Sequence, residues 1–355
     1  MNLHEKELHY PLGDALPEPG HHLSVAPGIR WLRMSLPFAL DHINLWLIRD
    51  RVDGVEGWCV VDCCLDNPTA RAQWEQVFTT SLMGLPVLRV IATHLHPDHL
   101  GLAHWLCARW QVPLYISATD YHTARTLIDT PADGLQSQDF FRSHGLLDAD
   151  VLQALTERTL QFSHMVPAVP SQFIRLTDQQ TLKIGEHEWK CISGYGHAPE
   201  HIGLHCPALN ILISGDMVLP RISSNISVFD TEPLADPLGL FMQSLTKYSH
   251  LAADCLILPS HGKPFTGVHQ RIKQLLQHHE DRLTDLREGF AKGDMNAIEA
   301  MALLFKRQLD PHQTTFALGE SLAHLHCLWY KGELRRYQTA DGLIRFKPIE
   351  AEIRP

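Results

Sequence analysis

In the stretch RVIATHLHPDHLGLAHW, residues 89–105, three histidines and one aspartate lie within six positions behind a short apolar run. The chain carries 24 histidines, so a chance cluster is the alternative to a metal site. His94 and His96 follow a predicted strand, and residues i and i+2 of an extended backbone project to the same face. One cation could therefore bind both imidazoles.

Asp98 and His99 come after Pro97, which interrupts the strand and turns the chain. Their side chains can therefore face a second position close to the first. Pairs of metal ions roughly 3.5–4 Å apart need a ligand set divided in this way. The cluster thus predicts half of a dinuclear metal site, and the alternative is a group of surface or helix-capping histidines.

Three further potential ligands follow later predicted strands. They are His197 in GYGHAPEHIG, Asp216 in LISGDMV and His261 in LPSHGKP. Loops at strand ends commonly carry binding and catalytic residues. Imidazole and carboxylate ligands without cysteine suit Zn²⁺, and they also suit Fe or Mn.

With these motifs in this order, residues from about 28 to 266 resemble the metallo-β-lactamase superfamily, and most closely its glyoxalase-II-like branch. The resemblance implies a four-layer αββα sandwich of α/β class with metals at one edge. It also assigns the ligands: His94, His96 and His197 for one metal, Asp98, His99 and His261 for the other, and Asp216 as the bridge. Asp62, after the strand WCVVD, matches an aspartate that usually supports the ligands from outside.

The function implied by the resemblance is metal-dependent hydrolysis. We expect two divalent ions, Zn²⁺ first, and a hydroxide that bridges them and attacks a small acyl ester, thioester or lactone. Asp98 would orient this nucleophile and pass its proton on. Three alternatives stay open: a phosphodiesterase or nuclease of the same fold, a mononuclear-iron sulfur dioxygenase, and a metal-bearing regulator.

Other polar residues near these motifs have two interpretations each. His201 either orients a metal ligand or bonds to backbone at a strand entry. Arg221 is the only positive charge in MVLPRISSNISVF, and it either binds a substrate carboxylate or phosphate or forms a surface salt bridge. We expect the remaining paired or neighbouring histidines to be exposed to solvent: His21, His22, His278, His279, His324 and His326.

The chain divides into two predicted domains. Residues 1–268 form the catalytic domain, with antiparallel strands over 28–61 and a mostly helical stretch at about 121–170 that is either a lid or an ordinary helical layer. Residues 269–355 contain amphipathic helices followed by two short strands around Asp341 and Gly342. This order predicts a small winged-helix-like domain that serves packing or dimerisation.

Composition narrows the partners. The formal net charge of −10 makes nucleic-acid binding unfavourable. The eight cysteines form no CxxC pair, so we expect buried, reduced thiols. The start has no signal-peptide pattern and no segment reaches 18 apolar residues, which predicts a cytoplasmic protein without a membrane partner. We expect a small-molecule substrate, and a homodimer is the alternative to a monomer.

Overall fold

The structure is a computed structural model, and it describes residues 3–129 and 137–349. Its described part divides into two compact units, the first with residues 3–129, 162–224 and 244–272, the second with residues 137–161, 225–243 and 273–349. The second unit thus contains two earlier segments besides the C-terminal region. The domain boundary near 268 stays a prediction, and residues 130–136 of the predicted helical stretch lie outside the described residues.

The first unit contains a seven-stranded sheet whose strands follow one another in chain order. The strands are β1 (His22–Ala26), β2 (Ile29–Ser35), β3 (His42–Val52), β4 (Val55–Val61), β5 (Val87–Ile91), β6 (Leu114–Ser117) and β7 (Phe173–Leu176). Strands β1 to β4 pair antiparallel, as predicted for residues 28–61, and β4 to β7 pair in parallel. Because β4 and β5 are parallel, the loops after them emerge at the same edge.

A second sheet of the first unit has five strands. They are β8 (Thr181–Ile184), β9 (His187–Gly194), β10 (His201–Cys206), β11 (Ile211–Gly215) and β12 (Leu256–Pro259). The order across the sheet is β12, β11, β10, β9, β8, and only β11 and β12 pair in parallel. The carboxyl ends of β11 and β12 therefore lie next to each other.

The two sheets enclose one apolar core. Trp31 of β2, Trp46 of β3 and Trp189 of β9 are all fully buried in it. Along β2 the faces alternate, because Leu32 and Met34 belong instead to the core on the other side of the sheet. Burying an aliphatic or aromatic side chain of this size contributes roughly 1.5–3 kcal/mol, so these layers provide much of the folding free energy.

Helices cover the outer faces of the sheets. They include α1 (Pro68–Thr80), the short α2 (Pro97–Leu100), α3 (Ala103–Trp110) and α4 (Ala118–Asp129). Helix α1 begins where the Asn67 side chain accepts the N–H of Ala70 at 2.7 Å. On the second sheet, Tyr248 in the turn Lys247–His250 lies against Gly203 of β10. The predicted four-layer αββα architecture is therefore confirmed.

The second unit is mainly helical. It holds α5 (Ser137–Ser143), most of α6 (Ala149–Met165), parts of α7 (Pro237–Thr246) and α8 (Val268–Gly289), α9 (Ala297–Leu304), α10 (Pro311–Tyr330), β13 (Leu334–Gln338) and β14 (Ile344–Pro348). Asn296 and Glu299 form a reciprocal capping box at the start of α9. The predicted order of helix, helix and two strands is present, whereas the winged-helix assignment stays a prediction.

Three histidines that we expected at the surface are buried, so that expectation was wrong for His279, His324 and His326. Helix α10 is buried on nearly all its faces between Thr315 and Leu328. The Nδ1–H of His324 donates to the Glu320 carbonyl at 2.8 Å. Burial lowers the pKa of His324 to about 3 and that of His326 to about 4. These imidazoles are neutral and belong to the packing.

The expectation was also wrong for His21 and His22, which are half-buried. His21 Nε2 lies 2.7 Å from the Gln76 amide nitrogen, and His22 Nδ1 lies 2.9 Å from the Ser81 hydroxyl. Contacts with α1 and its C-terminal end therefore cover this pair. His278 is exposed, as predicted.

The cysteine prediction is confirmed, because all eight thiols are buried and none forms a disulfide. None of the helices within the described ranges combines the length and the apolar character needed to cross a bilayer.

Candidate metal centre

The loops after β4 and β5 are joined by one carboxylate. Asp62 follows β4 directly, and its φ of 64° turns the chain so that its N–H donates to the Ile91 carbonyl at 2.8 Å. Its side chain accepts the backbone N–H of Thr93 at 2.7 Å and the Thr93 hydroxyl at 3.0 Å. The same carboxylate accepts the Nδ1–H of His99 at 2.8 Å. Asp62 thus holds both the first and the last part of the histidine cluster.

Three imidazole nitrogens meet in a first cluster. His94 Nε2 lies 2.9 Å from His96 Nδ1 and 3.3 Å from His197 Nε2, and the last two nitrogens are 3.1 Å apart. Nδ1 of His94 lies 3.0 Å from the Thr93 hydroxyl, which leaves Nε2 to face the cluster. Because a neutral imidazole carries a single N–H, three nitrogens this close suit a shared cation better than a set of hydrogen bonds.

A second cluster lies beside the first. Asp98 Oδ2 is 3.5 Å from His99 Nε2 and 3.3 Å from His261 Nε2. The Nδ1–H of His261 donates to the His42 carbonyl at 2.7 Å, so its Nε2 is the atom that faces Asp98. His99 is oriented in the same way by Asp62. Both imidazoles are therefore fixed with Nε2 towards a common point.

Asp216 lies between the two clusters. Its Oδ2 is 3.2 Å from His197 Nε2, whereas its Oδ1 is 3.5 Å from His261 Nε2 and 3.6 Å from His99 Nε2. One carboxylate therefore presents a different oxygen to each cluster.

The seven residues form a donor set that fits divalent cations. His99 Nε2 and Asp216 Oδ1 are buried, and neither has a hydrogen-bond partner among the described residues. Buried polar atoms are normally satisfied, so these two point to a missing ligand. Three overlapping triads have ligand atoms within 4.8 Å of one another: His94, His96 and His197; His94, His99 and Asp216; and Asp98, His99 and His261. Imidazole nitrogens and carboxylate oxygens are the donors that Zn²⁺, Fe or Mn accept.

Two imidazoles of the first cluster, those of His94 and His96, are neutral. Burial, followed by the neighbouring imidazoles His99 and His96, holds the pKa of His94 well below its usual range. Burial likewise lowers the pKa of His96 to about 3. At neutral pH both rings thus carry a free lone pair, which is the form that binds a metal.

The second cluster carries paired charges. Burial alone would lower the pKa of His99, but Asp98, Asp62 and Asp216 outweigh it and raise that pKa well above the usual range. Burial would raise the pKa of Asp98, yet the charges of His99 and His261 lower it to about 2. Without metal, protons on these imidazoles therefore balance the carboxylates, and a cation would displace them.

The imidazole ring of His201 lies directly against the backbone of Gly215 and Asp216. The N–H of Asp216 donates to His201 Nε2 at 3.1 Å. Gly215, with φ of 51°, lets the chain pass this ring, because a Cβ there would lie 2.1 Å from His201 Nε2. His201 thus contacts the backbone of a candidate ligand residue.

Comparisons with known proteins agree with this geometry. A family model described as "Metallo-beta-lactamase superfamily" matches residues 39–261, and a second, "Metallo-beta-lactamase-like, C-terminal domain", matches residues 283–349. The chain belongs to the metallo-beta-lactamase superfamily. The superfamily resemblance inferred from the sequence motifs is therefore confirmed, whereas the glyoxalase-II-like branch stays a prediction.

Individual members of the superfamily resemble the chain over most of its length. The probable metallo-hydrolase YqjP of Bacillus subtilis is 22% identical over 325 residues, which are 90% of this chain and 97% of that protein. A beta-lactamase domain protein from Burkholderia ambifaria has 49% identity and a TM-score of 0.92, covering 98% of this chain and 100% of the other. A metallo-beta-lactamase family protein from Thermus thermophilus has 25% identity and a TM-score of 0.76, over 92% and 100%. The matches and the His/Asp cluster support a metallo-hydrolase of the superfamily.

Arg221, the predicted substrate-binding residue, is exposed on the segment after Asp216. The hydroxyl of Ser224 donates to the Asp216 carbonyl. The buried Arg271 also holds this segment, with Nε donating to the Leu219 carbonyl at 2.6 Å and Nη2 to the Ile222 carbonyl at 2.9 Å. The role of Arg221 stays a prediction.

Sequence reasoning missed Asp120, a fully buried residue of α4 that joins two ligand-bearing loops. Its Oδ1 accepts the N–H of Leu95 at 2.8 Å, and its Oδ2 accepts the N–H of Glu200 at 2.7 Å and the hydroxyl of Ser117 at 3.0 Å. Burial raises its pKa to about 6. The signal in the sequence was the S-x-x-D pattern of Ser117 and Asp120, one form of the capping-box motif.

Asn44 was also missed. It lies in the apolar strand β3 and is fully buried, and its Nδ2 donates to the Pro259 carbonyl at 2.8 Å and the Gly262 carbonyl at 3.0 Å. These bonds fix the loop that carries His261. A polar residue inside the run HINLWLI was the signal in the sequence.

We expect Asp120→Asn to weaken metal retention by about tenfold and to destabilise the fold by roughly 1–3 kcal/mol. The amide would turn an NH₂ group towards either Leu95 or Glu200, whose backbone N–H groups already point at this site. Retention is measured against a competing chelator, and stability by urea unfolding. Asp129→Asn, at the exposed end of the same helix, is the matched control. Equal retention in both variants would contradict the role of Asp120.

Proposed function

We propose that this chain is a dinuclear metal-dependent hydrolase of a small acyl ester, thioester or lactone. The observation that carries the proposal is Asp216, whose two oxygens face separate imidazole clusters at 3.2 Å and at 3.5–3.6 Å. A single-metal site needs no such division. His94, His96 and His197 would hold one ion, and Asp98, His99 and His261 the other.

The chemistry depends on an activated water. Two bound divalent ions would lower the pKa of a water towards roughly 7 and polarise a carbonyl oxygen. Within the second cluster the side chain of Asp98 is the most open, at 20% exposure against 0% for His99 and 4% for His261. Because its pKa is lowered to about 2, Asp98 is ionised at neutral pH and would accept a hydrogen bond from such a water. In this proposal it orients the water and takes part in removing its proton.

Metal counting coupled to a substrate panel tests the function. The purified full chain is analysed for metals and then assayed with esters, thioesters, lactones and phosphodiesters. We expect two metals per chain and turnover of at least one acyl substrate. One iron per chain with oxygen consumption would identify a sulfur dioxygenase instead. Turnover of phosphodiesters alone would identify a phosphodiesterase, and DNA retention at moderate salt without turnover would identify a regulator.

We expect a chelator to abolish turnover of the substrate found in that panel, and added Zn²⁺ to restore it in the wild-type chain. In Asp98→Asn, turnover should stay at least about 100-fold lower after Zn²⁺ addition, because the amide cannot accept the proton of the water. Asp53→Asn is the matched control, since Asp53 lies in the exposed turn between β3 and β4 at the far end of these strands. Full turnover in Asp98→Asn would refute the role of this carboxylate.

Several finer assignments belong to the same proposal. Zn²⁺ is the preferred ion because of the imidazole-rich set, with Fe or Mn as alternatives. Eight buried free thiols support a reducing compartment such as the cytoplasm. The acidic net charge of −10 favours a small-molecule substrate over nucleic acid, and a homodimer is proposed as the assembly.

A further inference from the structure

Arg33 occupies the end of β2 that faces the metal centre. Along β2, Ile29 and Trp31 point into the core between the sheets. Arg33 comes two residues after Trp31, so it projects from the same face. It pairs in register with Asn44 of β3, whose side chain reaches Gly262. The guanidinium therefore lies at the edge where the loop of His261 emerges.

The guanidinium of Arg33 forms no direct ion pair with a carboxylate of the described residues, although the charge of Asp41 acts on it. Its hydrogen bond from Nη1 to the Gly262 carbonyl is a long one, at 3.5 Å. Asp41 is the carboxylate whose charge acts on the Arg33 guanidinium. Its side chain, however, accepts a hydrogen bond from His42 Nδ1 at 2.6 Å. Arg33 is half-buried, and burial lowers its pKa. A partly desolvated guanidinium without a carboxylate is costly unless a ligand supplies the anion.

Three other cationic side chains near this edge either have polar partners within the chain or are exposed to solvent. Lys263 pairs with Asp14 at 2.7 Å. Arg271 is buried and donates to the Leu219 and Ile222 carbonyls. Arg221 is exposed to solvent. Among these four, Arg33 alone is half-buried and forms no direct ion pair with a carboxylate of the described residues.

We propose that Arg33 binds an anionic oxygen group of the substrate, a carboxylate or a phosphate, and that the substrate is therefore an anion with its reactive carbonyl near the His261 loop. The planar fork of arginine matches both groups bidentately. This inference rests on the proposed function, because it names the substrate class of the same site. It assigns the anchoring role to Arg33 in place of Arg221.

Calorimetric titration of the metal-loaded full chain tests the proposal without needing turnover. Succinate, inorganic phosphate and the uncharged succinamide are titrated into the wild type and into Arg33→Met, which keeps the apolar stem and removes the charge. We expect succinate or phosphate to bind about tenfold to hundredfold more weakly to Arg33→Met, with succinamide unchanged. The anion that loses affinity identifies the group as carboxylate or phosphate. Arg33→Lys should recover part of the loss, because it restores a charge without the fork.

Two further variants sharpen the result. Arg51→Ala, an exposed residue of β3 paired with Glu56, is the control for general charge removal. Arg221→Ala tests the competing anchor. Metal content and circular dichroism of every variant show that the site and fold are retained. The proposal is overturned if the wild type binds neither anion, if Arg33→Met binds both as tightly as the wild type, or if Arg221→Ala alone loses affinity. If no ester, thioester or lactone is turned over while anion binding is intact, the proposed hydrolysis is contradicted and the role of Arg33 is not.

Discussion

Replacing Asp216 with Asn should remove about half or more of the bound metal and lower turnover at least about 100-fold. The amide keeps one oxygen, so only one of the two imidazole clusters can still find an acceptor. Its NH₂ group would face either His197 on one side or His99 and His261 on the other. The substitution also removes a charge that balances the imidazoles of the second cluster.

Metal analysis and turnover of the substrate found in the panel measure this outcome. Asp254→Asn is a suitable control, because Asp254 is exposed just before β12 and its carboxylate accepts a hydrogen bond from the side chain of Asn210 at 2.9 Å, away from the candidate ligands. A variant at position 216 that retains two metals per chain would contradict the bridging role.

Gly215→Ala should destabilise the fold by more than about 3 kcal/mol and abolish metal binding. The new Cβ would lie 2.1 Å from Nε2 of His201, a buried ring that cannot move aside freely. The positive φ of 51° adds roughly 1–2 kcal/mol for a residue with a side chain. Any backbone shift would move Asp216, the next residue. Urea unfolding with and without Zn²⁺ measures both effects.

Two variants separate the clash from the backbone cost. Gly54 has a φ of 80°, and a Cβ added there would meet nothing within 4 Å. The free energy of unfolding of Gly54→Ala should therefore fall only by the cost of placing alanine in the left-handed conformation. The double variant Gly215→Ala with His201→Ala removes the ring that causes the clash. We expect its destabilisation to be smaller than the sum of the two single variants. Strict additivity would mean that the ring contact is not the cause.

The fold and the candidate ligands could be predicted because their signals are local. The spacing of His94, His96, Asp98 and His99 is visible within six residues, and His197, Asp216 and His261 each follow an apolar strand. The spacing of residues in the sequence does not predict which ring nitrogen each histidine directs towards the cluster. His94 turns Nε2 to the cluster whereas His96 turns Nδ1, because the Thr93 hydroxyl lies beside Nδ1 of His94.

Residues whose roles depend on distant partners could not be assigned in this way. Asp120 bonds to Glu200, 80 positions away, and Asn44 to Gly262, 218 positions away. The role proposed for Arg33 depends on the register of β2 and β3, which places its side chain beside the loop that carries His261. The surface expectation failed for His324 and His326 because α10 is buried on almost every face, so a polar residue does not mark an exposed side.

The candidate metal ligands follow strands of both sheets, and this affects which of them a metal ion could meet while the chain is folding. A metal ion that meets the growing chain first encounters His94, His96, Asp98 and His99, which lie close together in sequence. His197, Asp216 and His261 join them only after β9, β11 and β12 have formed and the second sheet has docked. Contacts of such large sequence separation carry a larger cost in chain entropy than the local contacts of residues 94–99. A metal ion bound to this partial set would therefore have only some of the candidate ligands, and we expect it to be held more weakly than in the folded chain.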